Sequence, residues 1–221
     1  LVVGDVAGNT TRIITTLDEA RTTGVDLVVF QELALCGYPP EDLLFHSGMR
    51  QRVADAIARL RTASLGIALL VGYPEYHEGH IYNSAIWLQD GEVRGNYRKW
   101  RLPNYGVFDE QRYFTAGHEP LVLELANVQI GVTVCEDIWE SPNVVQASVA
   151  AGARLIISIN GSPFDAAKQA TREELLARRA RAMGIPFVYQ NLVGGQDELV
   201  FDGGSCMVGP TGEVYMRAPA F

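Results

Sequence analysis

Three short runs, Asp26 to Phe30, Ile67 to Gly72 and the Leu-Ile-Ile-Ser-Ile core of Arg154 to Asn160, are apolar at nearly every position. Strands of that kind need cover on both faces, which confines the chain to layered α/β folds. Val128 to Val134 is different. Val128, Ile130, Val132 and Val134 alternate with Gln129, Gly131 and Thr133, the period of a half-buried strand, and the pattern stops at Cys135. The thiol therefore falls at a strand end.

Amphipathic stretches lie between the strands. Asn9 is placed to cap a helix with Ile13, Ile14, Leu17 and Ala20 on one face, closed by Gly24. Ser47 starts a second helix, with Val53, Ile57 and Leu60 inward and Gly66 after it. A loop carries His77 and His80. Tyr82 to Leu88 and Glu92 to Arg98 read as a hairpin around Gln89-Asp90-Gly91, and Leu121 to Leu125 pairs with Val128 to Val134 around Ala126-Asn127. Ser141 and Pro142 suit the N-cap and first turn of a helix reaching Ala151. A long helix spans Ala166 to Met183 with Leu175 and Leu176 inward, and strands follow at Ile185 to Asn191, Val200-Phe201, Ser205 to Val208 and Glu213 to Met216. Two helices among the early strands, two among the later ones and hairpins between predict a four-layer α-β-β-α sandwich. A plain doubly wound sheet is the alternative, because periodicity does not order strands.

With 221 residues, 48% hydrophobic and 20% charged, the chain can build one sizeable domain over residues 1–221. A net charge of -8 argues against a nucleic-acid surface, and no basic cluster exceeds Arg178-Arg179-Ala180-Arg181. No apolar run is long enough to span a bilayer and no leader pattern opens the chain. Cys36, Cys135 and Cys206 cannot all pair and show no metal spacing, which points to reduced thiols in the cytoplasm and to no metal site. His77 and His80 lack a third ligand nearby. A start at Leu1 and an end at Ala218-Pro219-Ala220-Phe221 suggest a segment of a longer protein.

Glu32, Lys99, Cys135 and Ser162 come from distant parts of the chain, yet each closely follows a strand. If those strands run in one sense, the four residues share one rim. A carboxylate can take a thiol's proton, an ammonium stabilises a thiolate and a developing oxyanion, and turn N–H groups add donors. That set suits nucleophilic acyl transfer. Each residue also has a bland reading: Cys135 as a core cysteine, Glu32 and Lys99 as solvated charges, Ser162 as a helix cap before Pro163.

The motifs around these residues carry a resemblance. Phe30-Gln31-Glu32-Leu33, Tyr97-Arg98-Lys99 and Cys135-Glu136-Asp137 with Trp139 resemble the Glu, Lys and Cys triad of the nitrilase superfamily. Gly37 to Leu43, Leu102 to Glu110, Asn191 to Glu198 and Phe201 to Ser205 are similar, more narrowly, to the glutaminase domain of glutamine-dependent NAD synthetases. The likeness covers nearly the whole chain. It implies the nitrilase-type sandwich, with Glu32 as general base, Cys135 as nucleophile, and Lys99 with the Glu136 N–H around the oxyanion. It also implies that Tyr105, Ser162 and Lys168 bind L-glutamine, with Glu110 and Glu136 recognising the substrate amino group or orienting Lys99.

The same resemblance implies an ammonia-accepting synthetase domain outside these residues, using ATP and Mg, with no cofactor in this domain, and a homo-oligomer. Gly194-Gly195-Gln196-Asp197 only superficially resembles that domain's pyrophosphate loop and is expected to be a glutaminase-domain loop. Two departures stand out. The strand with which the family's domain opens is not found before Val2-Val3-Gly4-Asp5, and Gln31 stands where proline is usual. Two other readings remain: a free-standing nitrilase-type amidase or carbamoylase on another small amide, and a non-catalytic assembly domain.

Overall fold

The apolar runs separate into different sheets, carried by two units of the chain, Leu1–His118 and Glu119–Phe221. The structure, a computed structural model, describes residues 1–139 and 143–221.

In the first unit, β1 (Leu27–Val29), β2 (Ala68–His77), β3 (His80–Gln89) and β4 (Glu92–Arg98) form one sheet in that order. β1 is parallel to β2, and each later pair is antiparallel. β1 and β4 therefore run the same way, and the residues that follow them emerge at one edge. At the β3–β4 turn, Asp90 (φ 53°) and Gly91 (φ 80°) take the left-handed conformations that a two-residue hairpin requires.

Helix α1 (Val6–Thr22) packs on α2 (Met49–Ala63), which also meets β2 and β3. Ile13, Leu17, Val53, Leu60, Leu69, Val71 and Trp87 are buried. Asp5, not Asn9, caps α1: its carboxylate accepts the Gly8 N–H at 2.9 Å. Asn9 lies inside the helix because its amide is engaged elsewhere, donating to the Val2 and Leu35 carbonyls at 2.7 and 3.3 Å. α2 begins after Gly48 instead of Ser47, behind a 3-10 helix at Glu41–Phe45. β2 continues past Gly72, so His77 and His80 pair across a two-residue turn where a loop was expected. The expected cover on both faces of Asp26–Phe30 is not met by β1, an edge strand that is half-buried throughout.

The second unit has a six-stranded sheet in the order β12-β11-β8-β7-β6-β5. The strands are β5 (Leu121–Leu125), β6 (Val128–Val134), β7 (Leu155–Asn160), β8 (Phe187–Asn191), β11 (Cys206–Val208) and β12 (Val214–Arg217). β6, β7 and β8 are parallel, and the other neighbours are antiparallel. Helices α3 (Asn143–Ala150) and α4 (Lys168–Met183) follow β6 and β7. Ile156, Phe187 and Tyr189 of the sheet join Leu175, Leu176 and Ala180 of α4 in one core. Gly184, at φ 66°, ends α4 in the left-handed conformation that glycine adopts without strain.

α4 starts two residues later than its pattern suggested, and the Ser141 cap and Pro142 lie outside the described residues. The expected loop at Gly194-Gly195-Gln196-Asp197 is instead largely part of a hairpin, with β9 (Val193–Gln196) pairing with β10 (Leu199–Asp202). Among the described residues no helix is long and apolar enough to cross a membrane.

Candidate active site

Glu32 sits just beyond β1, where the chain is laced to β2. The Phe30 N–H donates to the Leu70 carbonyl at 2.8 Å and the Leu35 N–H to the Gly72 carbonyl at 3.1 Å. A Cβ on Gly72 would lie 2.4 Å from the Leu33 nitrogen and 2.6 Å from the Gln31 oxygen, so the approach needs glycine. Glu32 is wholly buried.

Lys99 arrives from β4, its N–H donating to the Asn83 carbonyl at 2.9 Å. Its Nζ donates to Glu32 Oε1 at 2.7 Å and to Glu110 Oε1 at 2.8 Å. The Asn83 amide donates to the same Glu32 oxygen at 2.7 Å, and the Tyr38 hydroxyl reaches Glu110 Oε1 at 3.4 Å. One buried ammonium thus faces two buried carboxylates. Burial pushes the Glu110 carboxyl up to about 7; the Lys99 charge opposes this and the Glu32 charge adds to it. Neither Glu32 nor Lys99 is the solvated charge of the bland reading. Glu110 thus shares Lys99 with Glu32, and Tyr105 is exposed, with its ring edge on Phe108.

In the second unit, Cys135 opens a 3-10 helix, Cys135–Ile138, directly after β6. Its φ of 45° is unusual for a side chain with a Cβ and costs on the order of 1 kcal/mol, held in place by the groups around it. The Asp137 carboxylate accepts the Val134 N–H at 2.9 Å, and Arg179 of α4 donates to the Ile138 and Trp139 carbonyls at 3.1 and 3.3 Å. So tight a strand-to-helix turn sets Cys135 at the sheet edge, at the start of the turn that Glu136 continues. Because β6 and β7 are parallel, Ser162 emerges at the same edge as Cys135. Lys168 heads α4, and its Nζ lies 4.3 Å from the centre of the Trp139 ring, a cation–π contact next to the cysteine turn. Glu136 is buried within the turn. The other thiols are poor rivals: burial pushes Cys36 far up and Cys206 to about 11.

Residues 2–221 match the carbon-nitrogen hydrolase family. The chain belongs to that family. It is 46% identical over 222 residues to the glutamine-dependent NAD(+) synthetase of Xylella fastidiosa strain Temecula1, covering 99% of the chain and 41% of the relative. The Thermotoga maritima enzyme of the same name is 43% identical, with 99% and 38% covered. The chain thus spans about two fifths of the length of these relatives.

Among solved structures, glutamine-dependent NAD+ synthetase from Acinetobacter baumannii, in complex with adenosine diphosphate, matches at a TM-score of 0.96 and 39% identity, over 99% of this chain and 41% of that one. A mutant of Nesterenkonia AN1 amidase, from the nitrilase superfamily, matches at 0.88 and 30%, over 99% and 83%. The α/β, nitrilase-type fold expected from the sequence is borne out.

ATP and Mg were expected for a domain outside these residues, and the glycines here do not suit a pyrophosphate. Gly194 and Gly195 lie in β9, whose ladder with β10 occupies backbone groups that a phosphate loop would present. Among the described residues, no three His, Cys, Asp or Glu side chains gather as a metal site. Sequence reasoning missed Asn83, Asn191, Arg172 and Asp202, all buried polar residues in the two site neighbourhoods. For Asn83, Asn191 and Asp202, only their position in largely apolar strands could have marked them; Arg172, on the charged helix α4, carries no such signal.

Proposed function

We propose that this chain is a glutamine amidohydrolase domain that releases ammonia through a cysteine thioester. Glu32 takes the proton of Cys135, whose sulfur attacks the side-chain amide carbon of L-glutamine. Lys99 and the Glu136 N–H carry the negative charge on the tetrahedral oxygen. As the C–N bond breaks, the proton passes from Glu32 to the leaving nitrogen, giving ammonia and a glutamyl thioester. Glu32 then removes a proton from water, which adds to the thioester carbon; glutamate leaves and the thiol is restored. A free thiol ionises near about pH 8.5, so a basic partner is needed for attack at neutral pH. Tyr105, Ser162, Lys168 and Glu136 bind the substrate, with Lys168 at a helix start where cationic charge and helix dipole both favour a free carboxylate.

The observation that carries the reading is Cys135 at a left-handed turn on the end of a parallel strand, in a chain 46% identical to a relative named for glutamine dependence. We further propose that the ammonia serves a linked ATP-dependent synthetase that amidates deamido-NAD, in a cytoplasmic homo-oligomer. Ammonia release from L-glutamine, abolished in Cys135→Ala, is the expected result; release that survives the substitution would refute the assignment. The amidase neighbour supports one rival, a plain amidase, in which case short aliphatic amides would be hydrolysed faster than glutamine.

A further inference from the structure

Arg172 of α4 is almost completely buried, at 1% exposure, and all three guanidinium nitrogens are engaged, one of them also reaching Gln169 Oε1 at 3.5 Å. One terminal nitrogen donates to both Asp202 carboxylate oxygens, each at 2.9 Å. The other donates to the Ser162 and Pro163 carbonyls, again at 2.9 Å. The Nε–H donates to the Ser162 hydroxyl oxygen at 3.2 Å. Asn191 fixes the same serine from the sheet, accepting the Ser162 N–H at 2.9 Å and donating to its carbonyl at 3.3 Å and to that of Gly203 at 2.9 Å. Ser162 therefore has its backbone clamped on both sides and a lone pair of its hydroxyl already taken.

A hydroxyl that accepts from a cation turns its own hydrogen outward and becomes a polarised donor. A second donor lies close by. The Tyr189 hydroxyl is buried, with the Ser162 side chain as its hydrogen-bonding neighbour and Cys135 and Arg172 also acting on it. Asp202 cancels the Arg172 charge, so the device presents a directed dipole without repelling an ammonium group.

We propose that Arg172, anchored by Asp202, is a positioning residue that commits the Ser162 hydroxyl to donate to the carboxylate of the bound amino acid. The pair would thereby favour a free amino acid over a plain amide. This rests on the glutamine reading above. Lysine cannot reproduce it, because a point charge cannot serve Asp202, two carbonyls and a hydroxyl in one plane.

The test compares wild type, Arg172→Lys, Ser162→Ala and the double variant. Steady-state constants for L-glutamine are measured together with the rates at which Cys135 is alkylated by 6-diazo-5-oxo-L-norleucine, which has an amino-acid end, and by iodoacetamide, which has none. Arg172→Lys should raise KM and slow the norleucine reagent by about tenfold or more, the worth of a hydrogen bond to a charged group. The iodoacetamide rate and kcat should stay within about threefold, and the double variant should match Ser162→Ala alone. Equal slowing of both reagents, additive effects or an unchanged KM would overturn the proposal. If Arg172→Lys does not fold, Asp202→Asn takes its place, with a smaller KM rise expected and an unchanged KM overturning. Wild type that neither hydrolyses glutamine nor takes the norleucine reagent would sink the glutamine reading itself, and this inference with it.

Discussion

Replacing Glu110 by glutamine should make the protein more stable at pH 8 than at pH 4.5, relative to wild type. Lys99 Nζ lies between Glu32 and Glu110, all three buried, so when both carboxylates are ionised they share this one ammonium and repel each other. Burial, with the Glu32 charge acting in the same direction against that of Lys99, raises Glu110 from 4.5 to about 7. Below about pH 4.5 the folded and unfolded chains both hold the proton and the site imposes no penalty. Between there and about pH 7 the folded chain keeps the proton that the unfolded chain gives up, so stability falls as pH rises; above pH 7 the loss is complete.

A displacement of that size corresponds to roughly 3 kcal/mol. Glutamine resembles the protonated form, keeps an oxygen for Lys99, and does not titrate. The difference in unfolding free energy, Glu110→Gln minus wild type, should therefore climb by about 3 kcal/mol from pH 4.5 to pH 8, read from urea midpoints by tryptophan fluorescence. A flat difference, or one that falls with pH, would show that Glu110 stays ionised beside Lys99 and that the charge reasoning is wrong.

Two further substitutions probe how the site residues are held. Asp137→Ala leaves the buried Val134 N–H without its acceptor and should cost about 1–2 kcal/mol in a urea titration while slowing alkylation of Cys135; an unchanged alkylation rate would mean that the turn is held by other contacts. Gly37→Ala puts a Cβ 2.6 Å from the Val3 Cα at a residue with φ of 77°, and should lower stability by about 2 kcal/mol or more; a melting temperature equal to wild type would contradict the packing between the N-terminal residues and this loop.

Much of this organisation was legible in the chain itself. Cys135, Lys99 and Glu32 could be singled out as candidates because each follows a recognisable strand and belongs to a motif with family resemblance. Hairpin turns such as Asp90-Gly91 and Ala126-Asn127 could be placed because few residues tolerate positive φ. The readings that failed depended on distant partners. Asn9 has the chemistry of a cap, but tertiary bonds to Val2 and Leu35 claim its side chain. The β9–β10 hairpin escaped notice because Gly194 and Gly195 read as loop residues when their ladder partner is unknown. Arg172 lies on the polar pattern of α4, and nothing local reveals Asp202 thirty positions on.

The contact between Gly72 and the Gln31–Leu33 main chain leaves no space for any side chain, so the proposed general base, Glu32, is located by a residue with no side chain of its own. Libraries that randomise the visible site would keep the acid and never sample the position that can displace it. A scaffold meant to host this acid must inherit both strands together, because copying the glutamate's own segment carries only half of the instruction.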